Sequence, residues 1–179
     1  DLVVYPTETV YGLGGDALDT DVVERVFELK RRERSNPLSL GVPSVDAALR
    51  YTRPTELAAA FARAFLPGPV TVIAERGDAV PDALTAGRDR VGIRVPDHPV
   101  ARDLLRETGP LTATSANVSG RGSVTRLDDL DDRNREGAAA VVDDSETPGT
   151  ERTVADAETG TIRRRGAMHG AHEAVLGDQ

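Results

Sequence analysis

Of the 22 basic residues in the chain, one is a lysine: Lys30, in the run Lys30-Arg31-Arg32-Glu33-Arg34-Ser35-Asn36-Pro37-Leu38. An ammonium is a compact, strongly hydrated charge that reaches one oxygen, whereas a guanidinium presents a planar fork to carboxylate or phosphate. Four cations in five positions, in a chain of formal net charge −8, have the chemistry of an anion site. They suit equally well the last turn of a helix, where the dipole favours cations. On this segment alone both readings are open.

Four further segments carry polar groups at the ends of predicted strands, where open α/β sheets place ligands. Thr7-Glu8-Thr9-Val10-Tyr11-Gly12-Leu13-Gly14-Gly15 combines hydroxyls with glycines that allow close backbone approach. It holds neither GxxxxGK(S/T) nor a complete GxGxxG, and a plain turn explains it as well. Ser115-Ala116-Asn117-Val118-Ser119-Gly120-Arg121-Gly122-Ser123 is an anion nest or a hydrophilic loop. Arg94, in Val91-Gly92-Ile93-Arg94-Val95-Pro96-Asp97, is an anion clamp if it points inward and a solvated side chain if it does not. Arg163-Arg164-Arg165 is a basic run near the end of the chain. There is no GxSxG elbow, and His98, His169 and His172 form no HExxH pair. Cysteine is absent, which removes disulfides, thiolate catalysis and Cys-based zinc sites.

These groups need a scaffold. A length of 179 residues fits one domain spanning 1–179, and 39% hydrophobic with 3% aromatic residues means an aliphatic core. No stretch approaches the roughly 18 apolar residues of a membrane span. The start Asp1-Leu2-Val3-Val4-Tyr5 has no basic n-region, so a soluble cytoplasmic protein is expected. The acidic balance suggests a halophile and argues against generic nucleic-acid binding, which rests on neutralising phosphates. Strands are predicted at Leu2–Tyr5, Pro37–Leu40, Val70–Ala74, Val91–Val95, Leu111–Thr114, Ala138–Val142, Thr153–Ala155 and Thr161–Arg163. Helices are predicted at Asp21–Arg32, Ser44–Arg50, from Pro54 through Phe65, and at Pro99–Arg106, with Asp128–Glu136 a connection or short helix. The irregular interleaving reads as α/β with a mixed sheet.

Taken in order, the segments resemble the YrdC-like domain of threonylcarbamoyl-AMP synthases. The matching stretches are Pro6-Thr7-Glu8-Thr9-Val10-Tyr11-Gly12-Leu13, Lys30-x-Arg32 with Asn36-Pro37-Leu38, and Pro67-Gly68-Pro69-Val70-Thr71. Further on come Arg94-Val95-Pro96-Asp97-His98-Pro99, Ser115-Ala116-Asn117-Val118-Ser119-Gly120, Thr153-Val154 and Arg164-x-Gly166-Ala167. The resemblance implies a twisted mixed sheet with flanking helices around a concave, positively charged cavity. It implies condensation of L-threonine, bicarbonate and ATP into threonylcarbamoyl-AMP with release of pyrophosphate. Mg2+ is expected with the ATP, and no protein-bound organic cofactor or metal site. A downstream threonylcarbamoyl-transferase complex would then modify tRNA.

By the same resemblance, Thr7, Lys30, Arg94 and the backbone around Ala113 bind threonine. Arg32, Asn36, Arg90, Ser115, Ser123 and Arg164 bind ATP, and Lys30 and Arg32 are the catalytic cations. Glu33, Gly41, Arg90 and Arg152 stand where the family usually has proline, histidine, a hydroxyl residue and serine. The extra domain and the leading helix of many members are not seen in this sequence. Two other readings are a non-catalytic module binding double-stranded RNA or tRNA, and a carbamoyl-adenylate-forming paralogue with another acceptor.

Overall fold

A computed structural model of the chain describes residues 1–164. Its strands are β1 (Leu2–Tyr5), β2 (Gly12–Gly15), β3 (Ser39–Gly41), β4 (Val70–Glu75), β5 (Arg90–Arg94), β6 (Leu111–Ser115), β7 (Ala140–Val141), β8 (Thr153–Asp156) and β9 (Thr161–Arg164). They make one mixed sheet in the order β7-β1-β2-β6-β3-β5-β4-β8-β9. The helices are α1 (Thr20–Lys30), α2 (Val45–Ala48), α3 (Glu56–Phe65), α4 (Asp82–Thr85), α5 (Pro99–Thr108) and α6 (Asp132–Gly137). None of the described helices is long and apolar enough to cross a membrane.

The period-two alternation of β1 sorts the two faces. Leu2 and Val4 join the main core with Val23, Val26 and Phe27 of α1. Val3 and Tyr5 turn the other way, toward Ala101 and Leu105 of α5 and Leu111. Both helices start on side-chain caps. The Asp19 carboxylate accepts from the Asp21 and Val22 amides at 3.0 and 3.3 Å, and His98 Nδ1 accepts from the Val100 amide at 3.2 Å. The α1 helix ends one residue past Lys30, where Arg31 adopts the left-handed conformation (φ 51, ψ 41) and reverses the chain.

The sequence-based expectation differs from the structure mainly at residues 12–15. The glycine-rich segment read as a turn is a strand, paired antiparallel with both β1 and β6. All four residues are buried. Glycine is needed because neighbouring layers occupy the side-chain positions. A Cβ on Gly15 would stand 2.6 Å from both Leu2 Cδ2 and Val22 Cγ1, and one on Gly14 2.9 Å from Tyr5 Cε1. The four-residue α4 was also not anticipated; it is too short for a periodic signal.

Candidate functional site

Pairing registers align one backbone row across six strands: Leu111 opposite Gly41, Gly41 opposite Arg94, Arg94 opposite Thr71, Thr71 opposite Val154, and Val154 opposite Arg164. Beside it lies a cavity lined by Thr7, Thr9, Arg94, Ala113, Ser115 and Arg152. Segments more than a hundred residues apart in sequence thus meet at one end of the sheet.

The segment after β1 is shaped by Thr7. Its hydroxyl donates to the Val10 carbonyl at 2.6 Å and accepts from the Thr9 and Val10 amides, both at 3.2 Å. A side-chain hydroxyl therefore does the work of a backbone turn. The Thr9 hydroxyl lies 3.0 Å from that of Thr7.

Arg94 points inward and is 5% exposed. Its Nη1 donates to the Gly68 carbonyl, and its Nη2 donates to Glu8 Oε1 and, at 3.3 Å, to the Thr9 hydroxyl. Tyr5 shares these surroundings. Burial pushes its phenol up to about 12, Glu8 adds to the rise, and the nearby Arg94 and Arg152 charges oppose it.

Lys30 is 1% exposed at the end of α1. Its Nζ donates to the Ser115 carbonyl at 2.5 Å and the Asn117 carbonyl at 2.7 Å. In return the Ser119 amide donates to the Lys30 carbonyl at 2.9 Å. Asn134, from α6, clamps the same loop by donating to the Ala116 carbonyl at 2.5 Å. Burial, with the Arg32 and Arg152 charges, lowers the Lys30 pKa from 10.5 to about 7. A buried amine that donates to the neutral carbonyls of Ser115 and Asn117 gains from them no counter-charge to keep it protonated, and an anionic ligand would supply one.

Arg32 donates through Nε to the Asn36 carbonyl at 3.0 Å and through Nη2 to the Pro37 carbonyl at 2.9 Å. Desolvation lowers its pKa too. Asn36 therefore holds Arg32 by its backbone, while its own side chain is exposed.

The structure thus brings Thr7, Arg94, Ala113 and Ser115 to one cavity, with Lys30 bonded to the Ser115 carbonyl beside it and Arg32 near enough for its charge to act on Lys30. It does not bring Arg90 among them. Arg90 lies four residues from Arg94 along β5, roughly 13 Å at strand rise. Both its Nη atoms sit 2.7 Å from the Asp156 carboxylate, which is fully buried, and Nη2 lies 3.0 Å from Glu158. It lines a different and larger cleft with Arg53, Arg76, Asp78 and Asp82. That cleft is the weaker candidate for an anion: its arginines are already neutralised by Asp78, Asp82, Asp156 and Glu158.

Ser123 stands on an exposed loop and does not line the cavity. Arg164 closes the row as the last residue of β9. Arg165, Gly166, Ala167, His169 and His172 lie outside the described residues. Two site groups escaped the sequence reading. Arg152 was singled out only as a departure, and Glu8 was part of a matching stretch with no role. A carboxylate brought to an inward arginine from a distant segment, as Glu8 is to Arg94, leaves no short-range signal.

A model of the Sua5/YciO/YrdC family, described as "Telomere recombination", matches residues 1–166. The threonylcarbamoyl-AMP synthase of Bacillus subtilis is 40% identical over 188 residues, covering 99% of this chain and 53% of that protein. The synthase of Vibrio parahaemolyticus is 31% identical over 172 residues, covering 93% of this chain and 92% of its own length. A crystal structure of Pyrococcus abyssi Sua5 complexed with L-threonine superposes with a TM-score of 0.90 at 36% identity, covering 98% of this chain and 54% of that one. The chain thus spans about half the length of the Bacillus and Pyrococcus proteins.

Proposed function

The chain belongs to the Sua5/YciO/YrdC family, and on that premise we propose that it is an L-threonylcarbamoyladenylate synthase. The observation that carries the reading is the convergence of Lys30, Arg32, Arg94 and Arg152 with the Thr7 and Ser115 segments at one end of the sheet. Four cations there suit substrates that are mostly anions. The similarity to a Pyrococcus protein crystallised with L-threonine supports an amino acid as one of them.

In this reading the threonine amine attacks the carbon of bicarbonate, giving a carbamate and water. A carbamate oxygen then attacks the α-phosphorus of ATP, and pyrophosphate leaves. Neither step requires an enzyme nucleophile, which agrees with a chain that lacks cysteine. What the protein supplies is position and charge: transferring groups are stabilised by preorganised cations facing the charge that develops. Arg94 takes the threonine carboxylate and Thr7 shapes the wall beside it. Lys30 and Arg32 face the triphosphate, Asn36 holds Arg32, and Ser115 with Asn117 positions Lys30. Among the described residues no group of three acidic or histidine side chains could hold a metal. In this reading magnesium arrives with the substrate as MgATP, held by phosphate oxygens and water. The product would serve a tRNA-modifying transferase complex.

The test is pyrophosphate release. The reading expects release only with threonine, bicarbonate and ATP together. Release that ignores threonine would mean another acceptor, and none at all would favour the RNA-binding reading.

A further inference from the structure

Beside the cavity, paired with its Arg94, sits a charge of the wrong sign for anionic substrates. Against Arg94, which lines the cavity, stands one carboxylate, Glu8, which lies in sequence between the two lining threonines Thr7 and Thr9. Its Oε1 accepts from Arg94 Nη2. Its Oε2 is buried and has no hydrogen-bond partner among the described residues. A buried carboxylate oxygen left unpaired is costly, and it weakens the same site for phosphate and bicarbonate by repulsion. Such a group is explained if a cation arrives with the ligand.

Resting on the synthase reading above, we infer that Glu8 receives the α-ammonium of the amino acid substrate. Of threonine, bicarbonate and ATP, only the amino acid carries a cationic group. It carries it one carbon from a carboxylate, so a zwitterion needs a cation and an anion of the protein side by side. Arg94 and Glu8 are such a pair, already in contact. The arginine, held in place by Gly68, Glu8 and Thr9, supplies the positive charge that draws the carboxylate, and Glu8 Oε2 offers a charge-assisted acceptor to the ammonium. The hydroxyls of Thr7 and Thr9 stand beside the pair. A divalent cation fits less well, since the described residues supply no cluster of ligands around this one carboxylate. Glu8 is thereby the residue that selects an amino acid over the corresponding hydroxy or plain carboxylic acid.

Calorimetric titration of L-threonine and of its deamino counterpart, 3-hydroxybutanoate of matching stereochemistry, tests this. The wild-type protein is expected to prefer threonine. Glu8→Gln keeps an oxygen for Arg94 but turns an N–H toward the ammonium. It is expected to weaken threonine roughly 10- to 150-fold, the worth of one charge-assisted bond, while leaving the deamino acid nearly unchanged. Arg94→Lys is expected to weaken both ligands, because it acts on the carboxylate they share. A Glu8→Gln protein that loses both ligands by the same factor would reduce Glu8 to a strut for Arg94. Wild-type protein that binds both ligands equally would overturn the inference without any variant. Wild-type protein that binds neither would overturn the amino acid reading itself, and Glu8's role with it.

Discussion

Lys30 has a pKa lowered from 10.5 to about 7. Half of the ligand-free molecules are therefore expected to carry a neutral amine at pH 7, and about nine-tenths at pH 8. A bound triphosphate restores the counter-charge and with it the proton. Binding of MgATP should then take up about 0.5 proton at pH 7 and about 0.9 at pH 8. Each pH unit above the lowered pKa costs about 1.4 kcal/mol of binding, so affinity should fall about fivefold from pH 7 to 8 and about tenfold from 8 to 9. Folding follows the same linkage. The unfolded chain binds more protons than the folded one between pH 7 and 10.5, so ligand-free stability rises with pH across that window.

Titration in buffers of different ionisation heat measures the uptake directly. Lys30→Arg supplies the subtraction, because a guanidinium stays charged throughout and any proton taken up by ATP itself is common to both proteins. The variant also places a larger head where Nζ now bonds two carbonyls at 2.5 and 2.7 Å in a 1% exposed site. Turnover should fall roughly 10- to 150-fold, the worth of one charge-assisted contact, while the exposed Arg50→Lys leaves it unchanged. Equal proton uptake by wild type and Lys30→Arg, or equal activity, would refute the reasoning and return Lys30 to the status of a helix-end cation.

Three other outcomes are expected. Gly68→Ala would set a Cβ 2.5 Å from the Phe65 carbonyl oxygen, on the residue whose own carbonyl receives Arg94; denaturant unfolding should show a loss of about 1–3 kcal/mol, with a raised KM for threonine. Asp19→Ala removes the cap of the helix that carries Lys30 and should cost about 1 kcal/mol by the same measurement. Arg90→Ala strips the buried Asp156 carboxylate of its two-pronged partner, leaving Arg163 at 3.3 Å; it should destabilise by about 3 kcal/mol, yet ATP affinity at a temperature where the protein is folded should stay within about twofold.

Much of the architecture was legible because it obeys local rules. The amphipathic period of residues 20–30, the prolines at 54 and 99, and the aliphatic runs at 70–75 and 91–95 each specify an element without help from the rest of the chain. Residues 12–15 were not legible, since glycine is depleted in strands and only its packed neighbours explain it. The lone lysine, Thr7 and Arg94 stood out by residue type and by the resemblance. The partner of Arg94 did not, because Glu8 is brought to it from 86 residues away. Arg90 showed the converse. Its alternation with Arg94 placed both on one face, but whether the arginine meets a ligand or Asp156 depends on where β8 ends.

The glycine-rich strand Gly12–Gly15 sets a tolerance for the whole assembly. On one face a single methyl group at Gly15 would press on Val22 of α1, and on the other a methyl at Gly14 would press on Tyr5 and Leu111. With no slack in either direction, this strand gauges how deep α1 seats on the sheet, and so how far Lys30 reaches toward the end of β6. Crowding there would register as a misaligned ammonium many residues away, which makes this strand the mechanical datum from which the polar end of the sheet is measured.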